Sequence, residues 1–341
     1  MELDSLKLAN LLHAEFDVHL IVRSGTKLKE LATSRPTPYQ VIDIAFRGSF
    51  DPRCIWALRK MWAGECKGPV LFLGASELKS IYFALQKNQM CIIRHGTTKL
   101  HSKKDFFHRW LYQKVTHHVS LGEHLRKNVI AIFPGPKNCL IIRPSTLLPK
   151  EVKNIESKGV PRILIFGRIM KEKGVEDGIL ALSRILKQGQ DFILTIQGPC
   201  EDANYISFLK NMTMENMMEG KVQFLSGTRD VLCVYENHDI LLFPSYGEGF
   251  PNTLVEALWS GLYPVVYKNT CFPEFLSLGF KMEVAIDRNE VDLSHKLIAA
   301  LQKWDEKKED IASHNKKLAQ LLFSPEREKS EWAALINETK Q

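Results

Sequence analysis

No apolar run in this 341-residue chain approaches the ~20 residues needed to cross a bilayer, so an integral membrane protein is not expected. Its start, Met1-Glu-Leu-Asp-Ser, lacks a basic stretch followed by an apolar one, and no secretory leader is expected. The seven cysteines are scattered and none forms Cys-x-x-Cys. Reduced thiols in a cytoplasmic protein fit that pattern better than disulfides or zinc. Neither G-x-G-x-x-G nor a P-loop occurs, which argues against dinucleotide oxidation and ATP hydrolysis. A nucleophile elbow, G-x-S-x-G, is missing as well.

Acidic residues are scarce in the first part of the chain. Residues 1–150 hold 23 Lys and Arg against 11 Asp and Glu, whereas residues 151–341 hold 23 against 28. The basic part would be drawn to phosphates or to an anionic membrane face. No nucleic-acid recognition motif accompanies it, so nucleic acid is not an expected partner. Lys99, Lys103, Lys104, Arg109 and Lys114 interleave with Phe106, Phe107, Trp110, Leu111 and Tyr112. Two readings stay open for this stretch: an acceptor or membrane contact through a basic amphipathic helix, or aromatics in the core with solvated bases.

The most informative stretch is Ser245-Tyr-Gly-Glu-Gly-Phe-Pro-Asn-Thr-Leu-Val-Glu-Ala-Leu, which places Glu248 and Glu256 in an E-x7-E pattern. The apolar run from Asp239 reads as a buried parallel strand, Gly247 and Gly249 as a tight loop, and Pro251 as the first turn of a helix that stops near Gly261. Glu248 then lies in a loop at the carboxyl end of a strand and Glu256 about one turn inside the helix. The free N–H groups of Asn252, Thr253 and Leu254 point back toward the loop, ready to hold an anion. Two carboxylates around a phosphate-sized anion hole suit a molecule with hydroxyls at both ends and phosphate between them. Upstream, the strand ending at Phe166 runs into Gly167-Arg168-Ile-Met-Lys-Glu-Lys173-Gly174, a turn whose two cations suit a diphosphate. Strands alternating with helices along both halves give an α/β chain with parallel sheets covered on both faces, and ligands at the carboxyl ends of the strands.

With its surroundings, this signature resembles the E-x7-E motif of retaining glycosyltransferases of family 4 (group 1 glycosyl transferases). The resemblance spans nearly the whole chain but is specific only over about residues 162–275. It implies a GT-B fold, with two Rossmann-like domains facing across a cleft. Residues 1–150 would form the acceptor-side domain and 151–312 the nucleotide-sugar-binding domain, with 313–341 a helical segment crossing back toward the first. Pro144–Gly159 reads as the linker. Members of the family open with a strand and a glycine-rich loop before the helix that this chain matches at Leu6–Leu12, so the first strand of the N-terminal sheet is expected to be missing.

The resemblance also implies residue roles. Arg168 and Lys173 would hold the donor diphosphate. Glu256 would bind the ribose hydroxyls and Glu248 those of the transferred sugar, with backbone N–H groups around Gly249, Phe250, Asn252, Thr253 and Leu254 on sugar or phosphate oxygens. His95 would face the donor. No Asp-x-Asp occurs, so neither a metal nor another cofactor is expected beside the nucleotide-sugar substrate, UDP-linked more often than GDP-linked. The acceptor would be a glycan or lipid-linked sugar in bacterial lipopolysaccharide or surface polysaccharide assembly, and the protein cytoplasmic, with peripheral contact at the inner face of an anionic membrane. A non-catalytic relative that binds nucleotide sugar or acts as a scaffold, and another GT-B reaction such as epimerisation, remain as alternatives.

Overall fold

The computed structural model describes residues 2–338 except 35, 46, 49, 65, 67, 75–77, 136–138 and 150–158. The chain divides into two compact units, Met1–Pro144 with Pro325–Gln341, and Ser145–Ser324.

The first unit runs α1 (Glu2–Leu12), β1 (His19–Arg23), α2 (Lys27–Thr33), β2 (Gln40–Ile44), α3 (Pro52–Ala63), β3 (Val70–Leu73), α4 (Leu78–Ala84), β4 (Cys91–His95), α5 (Phe106–Leu111), β5 (His117–Ser120), α6 (Glu123–Ile132) and β6 (Cys139–Ile141). Its strands are parallel but form two sheets, β1-β2 and β3-β4-β5-β6. The two sheets share their cores. Ile42 and Ile44 join Val70 and Phe72 in one apolar cluster, and Val18 joins Leu71 and Leu73 in another. Helix α3 starts where a helix should: Asp51 caps the N–H of Arg53 at 2.9 Å and Pro52 follows it.

The second unit alternates more regularly: β7 (Arg162–Phe166), α7 (Val175–Lys187), β8 (Ile193–Gln197), α8 (Ala203–Glu215), β9 (Val222–Leu225), α9 (Val231–Glu236), β10 (Ile240–Phe243), α10 (Asn252–Ser260), β11 (Tyr263–Tyr267), α11 (Phe272–Ser277), β12 (Glu283–Ala285) and α12 (Glu290–Leu322). One parallel sheet in the order β12-β11-β10-β7-β8-β9 puts the later strands on one side of β7 and the earlier on the other. Such a reversal beside β7 opens a crevice at the carboxyl ends of the strands, where ligands bind in open α/β sheets. Both faces are sealed, one around Ile163, Leu182 and Leu194, the other around Leu241, Leu258 and Trp259.

The helix expected over Leu293–Trp304 is longer than its apolar spacing suggests. It continues to Leu322 across a non-helical residue, Lys307, within the charged stretch at 305–310. Helix α13 (Pro325–Asn337) belongs to the first unit, where Trp332 and Leu335 are buried against Leu8 and Leu12. The linker expected over Pro144–Gly159 falls largely on 150–158, outside the described residues. Residues 145–149 pack within the second unit: the Thr146 N–H donates to Phe323 C=O at 2.9 Å, and the Trp259 indole donates to Pro149 C=O at 2.8 Å. Among the described residues, no helix is long and apolar enough to cross a membrane.

Candidate functional site

Three loops leave the carboxyl ends of β7, β8 and β10 and are stitched to one another. After β7, the Gly167 N–H donates to Gln197 C=O at 3.1 Å and the Ile169 N–H to Pro199 C=O at 2.9 Å. The approach is so close that a Cβ on Gly198 would lie 1.7 Å from the Gly167 oxygen, so only glycine fits. On the other side, the Tyr246 N–H donates to Glu172 C=O at 2.9 Å. Gly174 turns the chain into α7 in the left-handed region (φ 64°), and a Cβ there would sit 2.0 Å from the Pro244 oxygen. Loop 167–174 is thereby fixed beside the loop that carries Glu248.

That proximity brings Lys173 and Glu248, 75 positions apart, into an ion pair at 2.5 Å. The same carboxylate oxygen, Oε1, accepts from Ser245 Oγ at 2.9 Å. The Glu248 N–H donates to Thr270 Oγ1 at 3.1 Å, and Asn269 Nδ2 donates to Ser245 C=O at 2.9 Å. Both ends of Glu248 are therefore fixed by the strand it follows and by the loop after β11. Arg168, in contrast, is exposed, and its guanidinium has no side-chain partner among the described residues.

Pro251 is the N-cap of α10, one position earlier than the first turn expected for it. The first helical bond runs from the Val255 N–H to Pro251 C=O at 3.1 Å. The N–H groups of Asn252, Thr253 and Leu254 lie outside that ladder, as the first turn of any helix requires. Gly249 and Phe250 lie in the loop just before it, and the Phe250 ring turns inward, 6.3 Å from Phe275 and 6.1 Å from Phe323. Phe250 anchors the loop with its side chain and leaves only its backbone to the site.

Glu256 lies in the second turn of α10, half-buried, and its Oε2 accepts from the Tyr235 hydroxyl at 2.8 Å. Tyr235 is fully buried, with Phe166 edge-on at 5.5 Å. Burial, then the Glu256 carboxylate, raise its phenol well above the ordinary value, so it stays protonated and acts as a donor. Tyr235, Ser245, Asn269 and Thr270 were not singled out from the sequence. A carboxylate's partner 21 or 22 positions away leaves no local pattern.

His95, in the first unit, ends β4. It is buried, and its Nε2 lies 2.8 Å from His118 Nδ1 with the two rings stacked. Burial, then the neighbouring His118, push His95 down to about 3; burial, then His117, push His118 down to about 4. Both rings are neutral at pH 7, one donating and the other accepting. Among the described residues, no group of three or more His, Cys, Asp or Glu side chains is placed to hold a metal ion.

Residues 149–318 match the family described as Glycosyl transferases group 1. An uncharacterized glycosyltransferase of Haemophilus influenzae is 34% identical over 134 residues, which are 39% of this chain and 36% of that protein. The N,N'-diacetylbacillosaminyl-diphospho-undecaprenol alpha-1,3-N-acetylgalactosaminyltransferase of Campylobacter jejuni is 30% identical over 155 residues, 46% of this chain and 39% of that one. The chain thus spans less than half the length of these curated relatives. Among solved structures, a glycosyltransferase from Rickettsia africae superposes with TM-score 0.82 at 17% identity, covering 100% of this chain and 95% of that one. Anabaena HepE, solved with UDP and glucose, gives 0.73 at 15% identity, with 98% and 95% covered. The fold is that of the GT-B glycosyltransferases, with two Rossmann-like domains, and its second unit carries the group 1 glycosyl transferase segment.

Proposed function

We propose that this chain, with a group 1 glycosyl transferase segment in a GT-B fold, is a retaining glycosyltransferase of family 4. It moves a sugar from a nucleotide-sugar donor, UDP-linked in preference to GDP-linked, to a glycan or lipid-linked acceptor. The observation that carries this is the loop–helix unit at 244–256. It sets Glu248 and Glu256 on either side of the free first-turn N–H groups, with the loop bearing Arg168 and Lys173 bonded to it.

In this reading the diphosphate lies against the α10 N-terminus, Arg168 and Lys173, which stabilise the charge that develops on the leaving group. Glu256 takes the ribose hydroxyls, its carboxylate oriented by Tyr235. Glu248 takes hydroxyls of the transferred sugar and is a positioning and electrostatic group rather than a nucleophile. The bond between the anomeric carbon and the phosphate oxygen breaks, the acceptor oxygen bonds to that carbon on the same face, and the acceptor's proton passes to a leaving-phosphate oxygen. This route uses no metal. His95 is held in place by its hydrogen bond with His118. The Campylobacter relative's name specifies a diphospho-undecaprenol-linked substrate, which supports a lipid-linked acceptor in surface polysaccharide or lipopolysaccharide assembly in the cytoplasm.

Donor hydrolysis and transfer assays with UDP- and GDP-sugars in chelator test this, with the anomeric configuration of the product read by NMR. Retained configuration without metal is expected; inverted product, or activity lost in chelator, contradicts it. A second reading, a nucleotide-sugar-binding relative without turnover, is supported by the division of the first unit's strands into two sheets. It requires donor binding with no product.

A further inference from the structure

The second unit's sheet has an open edge. β9 (Val222–Leu225) ends the strand order and pairs, among the described residues, with β8 alone. The Lys221 C=O accepts from the Leu194 N–H at 2.8 Å and the Leu225 C=O from the Gly198 N–H at 3.1 Å, so the odd-numbered residues turn their backbone toward β8. Backbone groups alternate along a strand, so the N–H and C=O of Val222 and Phe224 face outward. No charge or proline interrupts Val-Gln-Phe-Leu, whereas a sheet edge is usually blunted by such residues. Lys221, just before it, is held by Asp191 at 2.5 Å.

Each face of this edge carries a hollow of its own. On one, Val222 and Phe224 join Ser207, Lys210, Asn211 and Met214 of α8, with Met214 51% exposed and Lys210 Nζ 5.9 Å over the Phe224 ring. On the other, Gln223 and Leu225 join Thr195 and Gln197 of β8. The first hollow offers apolar contact to an added strand, the second hydroxyl and amide groups. An incoming strand therefore needs apolar side chains toward α8 and a polar one between them on the opposite face. β9 itself, with Gln223 between Val222 and Phe224, has that pattern.

We infer that β9 is a docking edge for a second copy of this chain, which continues the six-stranded sheet across a two-fold axis. Antiparallel pairing centred on Gln223 sets Val222 opposite the second copy's Phe224, and Phe224 opposite its Val222. Each of these pairs exchanges both backbone bonds, so every outward N–H and C=O of β9 is satisfied. The Val222–Phe224 contacts, a β-branched side chain against an aromatic ring, fall on the α8 face. The two Gln223 amides meet on the other face, beside Thr195 and Gln197. A slip of one residue would turn the apolar side chains away from α8, which specifies the register. Pairing here is independent of turnover at the donor site.

Sedimentation velocity of the full chain across micromolar concentrations tests it. A concentration-dependent dimer is expected, with amide exchange at Val222 and Phe224 slowing as it forms. Gln223 is exposed, so substituting it should leave the melting temperature unchanged. In this register Gln223 faces its own copy. Gln223→Glu and Gln223→Lys, each alone, should therefore weaken the dimer about fivefold by setting like charges opposite each other. An equimolar mixture of the two variants should restore it, because opposite charges then meet. A chain that stays monomeric overturns the inference and leaves the edge to another protein's strand. A dimer that neither substitution weakens is held by another surface. A dimer that both substitutions weaken and the mixture does not restore is not paired Gln223 to Gln223. Either result also overturns the assignment.

Discussion

β10, Ile-Leu-Leu-Phe, and β3, Val-Leu-Phe-Leu, are four-residue strands of nearly the same composition. β10 lies between β7 and β11, and all its residues are buried; β3 pairs, among the described residues, only with β4, and all four of its residues are half-exposed. Apolar sequence specifies that a strand forms, but neighbours decide how deeply it is buried. The consequence reaches function. The unit with the continuous six-stranded sheet holds its loops by hydrogen bonds between one strand end and the next, and it is the unit that brings Lys173 to Glu248. The unit with the divided sheet contributes a buried histidine pair.

The largest contrast is expected in turnover. Arg168→Ala with Lys173→Ala should lower kcat/KM at least about 1,000-fold, roughly 4 kcal/mol of transition-state stabilisation, with the melting temperature of the chain nearly unchanged. Retained turnover would remove the diphosphate role from that loop.

The strand comparison itself can be broken by paired core truncations. Leu241→Ala, fully buried in β10, should cost about 2–5 kcal/mol in urea unfolding, and Leu71→Ala in β3 only about 1 kcal/mol. Equal costs would mean that β3 is as well packed as β10.

A pH effect should separate the units. His95 and His118 are pushed down by burial to about 3 and about 4, while the unfolded chain takes up protons near 6.5. Their neutral burial therefore costs nothing above about pH 6.5, and stability falls as pH drops from there toward 4. Unfolding midpoints at pH 7.5 and 5, with hydrogen exchange read on β4 and β5, should show the loss there, and His118→Asn should flatten it. Exchange that is unaffected by pH in β4 and β5 would contradict the neutral pair.

A smaller effect is expected at the proposed ribose contact. Tyr235→Phe should weaken nucleotide binding a few-fold by removing one hydrogen bond that orients the Glu256 carboxylate, worth about 1 kcal/mol. Unchanged affinity in calorimetry would remove its orienting role.

Much of the second unit was legible. Its strands alternate with helices of clear apolar period, and the motif helix starts and stops within a residue of the Pro251 and Gly261 signals. In the first unit the strands were as legible, but the helices between them were less so: α3 went unremarked although Asp51-Pro52 signals its start. Within the candidate site, Glu248, Glu256, Arg168 and Lys173 were singled out because they occupy local patterns. Tyr235 and Thr270 were not, because their roles arise only when α9 and the loop after β11 fold against α10 and the Glu248 loop. His95 was read from its place after a strand; that its ring is buried against His118 depends on β5 pairing with β4, which no local spacing encodes.

The central claim is a nucleotide-sugar site built around the two glutamates. Calorimetric titration of the chain with UDP, UDP-sugars and GDP in chelator, alongside Glu256→Ala, tests it most directly. The account predicts saturable binding of UDP and its sugars that is weakened about tenfold or more by the substitution, with both proteins equally folded. Absence of nucleotide binding by the folded chain, or binding that Glu256→Ala leaves unchanged, would contradict it.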